Sequence, residues 1–310
     1  MGAPMARRLL QSGYALTAWN RTRAKSEALA ANGAEIADTP AAAIGSAALV
    51  FSILETAAAV EDVLFASNGA RAAKARTIFV DMSSIAPDRA REHARRLAEM
   101  GHAHIDAPVS GGPEGAANGS LAIMAGGDPL DYEVARPVLT AMGRPTLVGA
   151  SGAGQFAKLT SQMIAATAMT AVAEALLLAR AEGIDPLRIC EALTGGFADS
   201  RILQIHGRRM VERNFEPGGH VRTFLKDLTA ARTAAEAHKL DLPVTALAHS
   251  LFESLSGHAA ACDIAAMALE IERRNRPHRI GPDCDKLPEG QLGRSLEEDA
   301  FSKASNQGGT

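Results

Sequence analysis

The 310-residue sequence is poor in cysteine: Cys190, Cys262 and Cys284 are odd in number and widely spaced. That argues against a disulfide framework and for a reducing compartment, the cytoplasm. It also lacks a basic excess. Lys and Arg total 32 against 35 Asp and Glu, a net charge of -3 with a pI near 6.3. Nucleic acid and anionic membranes are therefore poor partners. No charged start runs into an apolar stretch, so no secretory signal is read. The nine histidines are scattered without ligand spacing, so no metal is expected. What is present, 47% hydrophobic and 22% charged residues, is ordinary for a soluble chain long enough for two domains with real cores.

Residues 151–182 organise the rest. They are rich in Ala and Leu and have no proline and no glycine after Gly154, which predicts one long helix. Thr167, Thr170 and Glu174 interrupt its apolar character, so it reads as a core helix rather than a membrane span. Before it, short β-branched runs alternate with helical ones. Strands are expected over 15–19, 34–36, 49–54, 77–81, 104–106, 121–125 and 146–148, with a glycine-rich loop over 110–119. Alternation of this kind implies βαβ units and a doubly wound parallel sheet. After the long helix the pattern is helical throughout, with helices near 187–193, 208–213, 221–238, 244–257 and 259–274. The expected domains are 1–150 (α/β, nucleotide-binding) and 151–274 (all-α), followed by a polar, Pro- and Gly-rich tail, 275–310, read as disordered.

A dinucleotide-binding sheet opens with a strand running into G-x-G-x-x-G. Here a helix starts at once, and Gly2 is a candidate for the third glycine, which would put the first strand and first two glycines upstream of Met1. The alternative is a chain that simply begins with a helix. After the next strand stand Asn20, Arg21 and Thr22, with no acid. In this fold an acid there binds a ribose 2′-hydroxyl and an arginine accommodates a 2′-phosphate, so NADP is favoured, with NAD possible.

Four stretches resemble the β-hydroxyacid dehydrogenase family, which includes 3-hydroxyisobutyrate dehydrogenase and 2-hydroxy-3-oxopropionate reductase, with 6-phosphogluconate dehydrogenase more distant. They are Asp106-Ala107-Pro108-Val109-Ser110-Gly111-Gly112, Gly152-Ala153-Gly154-Gln155-Phe156-Ala157-Lys158, Phe215-Glu216-Pro217-Gly218 with Leu225-Lys226-Asp227-Leu228, and Asp81-Met82-Ser83-Ser84. The resemblance implies a Rossmann-like domain lacking its first strand, followed by an all-α domain, and an NAD(P)-dependent 3-hydroxyacid dehydrogenase or reductase (EC 1.1.1.-). It implies that Ser110, Gly111 and Gly112 hold a substrate carboxylate, that Lys158 is the general acid or base, and that Gln162, at i+4 from it, contacts substrate. Gly2, Asn20, Arg21, Thr22, Leu54, Ser84 and Lys226 would serve the cofactor.

Chemically these residue types fit. Glycines let backbone N–H groups converge on an anion, and a serine hydroxyl adds a donor. Each has a plainer reading: a Gly-rich hairpin, a solvated lysine, or an ordinary Lys226–Asp227 surface pair. Ser161 departs from the family's usual asparagine. The competing functional expectation is an N-terminally truncated, catalytically impaired member acting only as a binding or oligomerisation module. The partner expected is a small hydroxy acid or semialdehyde, and the assembly a homodimer or homotetramer.

Overall fold

The computed structural model describes residues 1–288. The chain forms two compact units that divide after Ser161, inside the long helix rather than ahead of it.

The first unit runs α1 (Gly2–Gln11), β1 (Thr17–Ala18), α2 (Arg23–Glu27), β2 (Glu35–Ile36), α3 (Pro40–Ile44), β3 (Leu49–Ser52), α4 (Ala57–Glu61), β4 (Ile78–Asp81), α5 (Pro87–Glu99), β5 (Ala103–Asp106), β6 (Val109–Ser110), α6 (Gly112–Asn118), β7 (Leu121–Gly126), α7 (Pro129–Met142) and β8 (Gly143–Gly149). β1 and β2 pair with each other in parallel, and β3, β4 and β5 form a parallel run in a second sheet. The sheet is not parallel throughout. β7 runs antiparallel to β5 and β6 and parallel to β8: β6 continues in the direction of β5, and the chain reverses across the segment that holds α6 before entering β7. Residues 112–118, expected as loop, form a helix with proline in its first turn, where the missing N–H costs nothing.

Alternation along the central strands builds two cores, one per face. Ile78, Val80, Ala103 and Ile105 pack with Met5, Leu9 and Leu139. Phe79 packs on the other face with Val60, Leu64, Ala90 and Leu97. The partners Phe79 and His104 lie opposite each other in register, so His104 and Asp81 share the face that α5 covers.

The second unit is helical. It takes most of α8 (Ala153–Ala181), then α9 (Pro186–Leu193), a π-type turn at Ile202–Gly207 running into α10 (Arg208–Val211), α11 (Val221–Ala237), α12 (Pro243–Ala259) and α13 (Met267–Arg274). Helix α8 is long and apolar enough to cross a membrane by length and composition. Ala166, Met169, Ala173, Leu176 and Leu177 nevertheless belong to the core of this unit. Only one face is buried: Ile164 and Leu178 are exposed. The helix expected over 259–274 breaks, because Asp263 accepts the Ala265 N–H and starts a short 3-10 turn instead.

The expected disordered tail does not begin at residue 275. Ile280 is 1% exposed. The backbones of Arg213 and Phe215 bond that of Lys286, and Leu287 packs on the core. Charge explains what composition concealed. Arg213 is wholly buried, and its guanidinium meets Glu272 at 2.5 Å and Asp285 at 2.7 Å, so an acid of the polar segment neutralises a buried cation. The rest of the expected tail lies outside the described residues.

Candidate active site

Asp106 sets the geometry of the first unit. It ends β5, and its carboxylate accepts the Gly152 N–H on Oδ1 at 2.7 Å and the Gln155 N–H on Oδ2 at 2.8 Å. It thereby satisfies donors at the start of α8 that the helix cannot pair itself. The approach is close. A Cβ on Gly154 would come within 2.3 Å of the Met124 carbonyl oxygen, and one on Gly126 within 2.6 Å of the Gly154 nitrogen. Only glycine lets strand and helix meet there. Burial pushes the Asp106 carboxyl up to about 6, against the pull of the backbone donors.

Gln155 makes the second tie. Its amide nitrogen donates to the Ser83 carbonyl at 2.7 Å, and its oxygen accepts the Ile85 N–H at 3.1 Å. The buried Ser83 hydroxyl in turn accepts the Leu54 N–H at 2.9 Å. The first turns of α8 are thus bound to β5 and to the turn after β4. Lys158, three residues beyond Gln155, is partly buried on that anchored segment.

Ser110 ends β6 and is partly buried, while Gly111 and Gly112 are exposed. Their φ values of 135° and 66° are backbone conformations that glycine adopts without cost. Ser84 is partly buried. Asn20, Arg21 and Thr22 form an exposed turn after β1, in which Asn20 Oδ1 accepts the Thr22 N–H at 2.9 Å. Gly2 opens α1, where an added Cβ would stand 3.0 Å from Ile53 Cγ2.

Gln162 and Lys226 belong to the second unit and converge on Asp227. The Gln162 amide donates to Asp227 Oδ2 at 3.0 Å, and Lys226 Nζ lies 3.5 Å from Oδ1. Asp227 is 4% exposed. The plain Lys226–Asp227 pair does form, therefore, and it recruits Gln162. The turn at Gly218 and Gly219 is held by Asp263, whose Oδ2 accepts both N–H groups at 3.0 and 3.1 Å.

Asp106, Gln155, Ser83 and Asp227 stand within the motifs, but sequence alone assigns them no role. The only signal for Asp106 was its place at the head of the longest motif. Leu54, expected to serve the cofactor, is tied to the same turn through its N–H, which the Ser83 hydroxyl accepts.

An α/β unit with parallel strands, joined by one long helix to an all-α unit, defines a Rossmann-like two-domain fold. Residues 1–154 match the family described as the NAD binding domain of 6-phosphogluconate dehydrogenase. Residues 152–270 match the NAD-binding domain of NADP-dependent 3-hydroxyisobutyrate dehydrogenase. The 2-hydroxy-3-oxopropionate reductase of Escherichia coli is 40% identical over 276 residues, covering 88% of this chain and 94% of that protein. The structure of Mycobacterium tuberculosis 3-hydroxyisobutyrate dehydrogenase with L-serine is 29% identical, with TM-score 0.77 over 87% of this chain and 95% of that one. A structure titled Psf3 in complex with NADP+ and 2-OPP is 25% identical, with TM-score 0.79 over 87% and 96%. The chain belongs to the β-hydroxyacid dehydrogenase family.

Proposed function

We propose that this chain is an NAD(P)-dependent oxidoreductase that interconverts a small 3-hydroxy acid and its semialdehyde, of the 3-hydroxyisobutyrate or 2-hydroxy-3-oxopropionate type. The observation that carries the reading is the anchored start of α8, which holds Lys158 on a segment tied by Asp106 and Gln155 to two strand ends.

The residues present fit a nicotinamide dinucleotide. Gly2 opens a helix that approaches Ile53 at a distance a side chain would fill, the use of the third glycine in such a fold. Arg21 lies in an exposed turn with no acid beside it in Asn20 or Thr22, which supports NADP over NAD. Ser84 and Lys226 would complete its contacts. When bound, the nicotinamide supplies the hydride chemistry.

Lys158 gives a proton to the substrate carbonyl oxygen during reduction and takes it from the hydroxyl during oxidation. The Ser110 hydroxyl and the N–H groups of Gly111 and Gly112 hold the substrate carboxylate. Gln162, fixed by Asp227, contributes an amide to the same substrate. Orientation and proton transfer are this chain's share of the rate.

The test is a panel of 3-hydroxyisobutyrate, D-glycerate and related short hydroxy acids with NADP+ and NAD+, and 2-hydroxy-3-oxopropionate with NADPH and NADH. Turnover of at least one of these, faster with the phosphorylated cofactor, is expected. Absence of turnover across the panel with both cofactors would refute the reading.

A further inference from the structure

Beneath the turn that carries Ser83 and Ser84 lies a group of side chains that the proposed chemistry does not use. Asp81 at the end of β4, His93 on α5 and His104 on β5 each direct a ligand-type atom to one place, and those atoms all lie within 4.8 Å of one another. Asp81 and His93 are 0% exposed and His104 5%. The alternation of β4 and β5 puts Asp81 and His104 on the face that α5 covers, and His93 comes down from α5 to meet them.

The cluster is short of partners. Asp81 Oδ2, His93 Nδ1 and both ring nitrogens of His104 are buried without a hydrogen bond. Such atoms are rare in folded proteins, and each costs free energy unless an ion or water satisfies it. Asp81 Oδ1 is provided for: it accepts the Ser52 hydroxyl at 2.8 Å and the Ser83 N–H at 3.1 Å.

His93 is arranged as metal-binding histidines are. Its Nε2 lies 3.4 Å from Glu61 Oε1, so the carboxylate can accept a hydrogen bond from Nε2–H while Nδ1 keeps its lone pair. A histidine ligand usually donates its other nitrogen to such an outer carboxylate, which fixes tautomer and ring orientation. A water at the centre would satisfy some of these atoms but would leave a buried carboxylate uncompensated. A divalent cation satisfies the nitrogens and the charge together.

We propose that Asp81, His93 and His104 form a buried site for a divalent transition-metal ion, zinc above all, with a water or a further protein oxygen as the fourth ligand. Two imidazoles and a carboxylate are a donor set that suits zinc. Zinc at about 2 Å from each ligand needs ligand atoms roughly 3.3 Å apart, so small side-chain rotations must close the cluster around the ion. The role is structural: the ion fastens β4, β5 and α5 together under the Ser83–Ser84 turn. Since all three ligands are buried, the ion must enter as the chain folds.

The test uses the full chain, expressed in zinc-supplemented medium, with metal content measured by inductively coupled plasma mass spectrometry. One zinc per chain is expected. Protein unfolded and refolded in EDTA should contain none and melt lower, and refolding with zinc should restore both metal and Tm. Refolding with Co2+ should give the visible absorption of a low-symmetry nitrogen and oxygen site. His104→Phe and His93→Leu should abolish metal uptake, and the melting temperature of either variant should no longer respond to zinc. Wild-type protein that carries no metal above background after both expression and refolding, with a Tm indifferent to zinc, would overturn the proposal and leave a water as the occupant. These readouts do not depend on turnover, so the site and the proposed activity can fail separately.

Discussion

Two buried aspartates, one in each unit, hold glycine-rich turns by the same backbone donors, yet burial leaves them with opposite electrostatics. Asp106 accepts two N–H groups and is 0% exposed. Desolvation outweighs those donors and pushes its carboxyl up to about 6. Asp263 is 1% exposed and accepts three N–H groups, from Gly218, Gly219 and Ala265. Burial raises its carboxyl too, but His206 at 3.2 Å and Arg209 at 3.5 Å help the backbone donors outweigh it and hold it below the usual range. The helical unit balances its buried charge. The unit that carries the proposed proton-transfer lysine tolerates one unbalanced, which is the pattern expected where a site is built rather than a core.

The largest effect expected from breaking this comparison is at Asp263. Asp263→Ala strands three backbone donors and leaves Arg209 without its counter-ion, a loss of about 3–5 kcal/mol in denaturant unfolding. A loss under about 1 kcal/mol would mean that the ion pairs there are idle. Next is pH. The folded Asp106 carboxyl titrates above its ordinary 3.8, so its folded form holds the proton more tightly than the unfolded chain does. Its contribution to stability therefore declines as pH rises from about 4 to 6, by up to about 3 kcal/mol. Asp263 has the opposite sign: its contribution is present above the ordinary carboxylate value and is lost as pH falls through its lowered one. Asp106→Asn should remove the first dependence and Asp263→Asn the second, read from unfolding at a series of pH values. Equal slopes in the two variants would erase the distinction.

Asp106→Ala should cost about 1–3 kcal/mol for two unpaired buried donors, less than Asp263→Ala, and should slow turnover by loosening Lys158. The smallest effect belongs to an exposed counterpart. Asp128 caps α7 through the Leu130 N–H at 2.8 Å, and Asp128→Ala should cost about 1 kcal/mol with turnover unchanged. If Asp106→Ala left turnover equally untouched, Asp106 would be a helix cap and nothing more.

Much of this fold was legible in sequence, because alternation and the long uninterrupted run of α8 are local signals. The motifs around Ser110 and Lys158 were legible for the same reason. The link between them was not: Asp106 meets donors 46 and 49 residues away, and nothing in its neighbourhood announces them. The segment before residue 289 was misread as a disordered tail because its charges look like those of a solvated segment until Arg213 is seen buried against Asp285. The histidines gave no ligand spacing, since His93 and His104 meet only when a helix is laid over adjacent strands.

The central claim is that the anchored start of α8 exists to hold Lys158 as the proton donor. Single-turnover reduction of 2-hydroxy-3-oxopropionate by NADPH, followed for wild type and Lys158→Ala alongside NADPH affinity, tests it most directly. The account expects the rate to fall about 10²–10⁴-fold with affinity for NADPH unchanged. A variant that reduces the semialdehyde within a few-fold of wild type would contradict it.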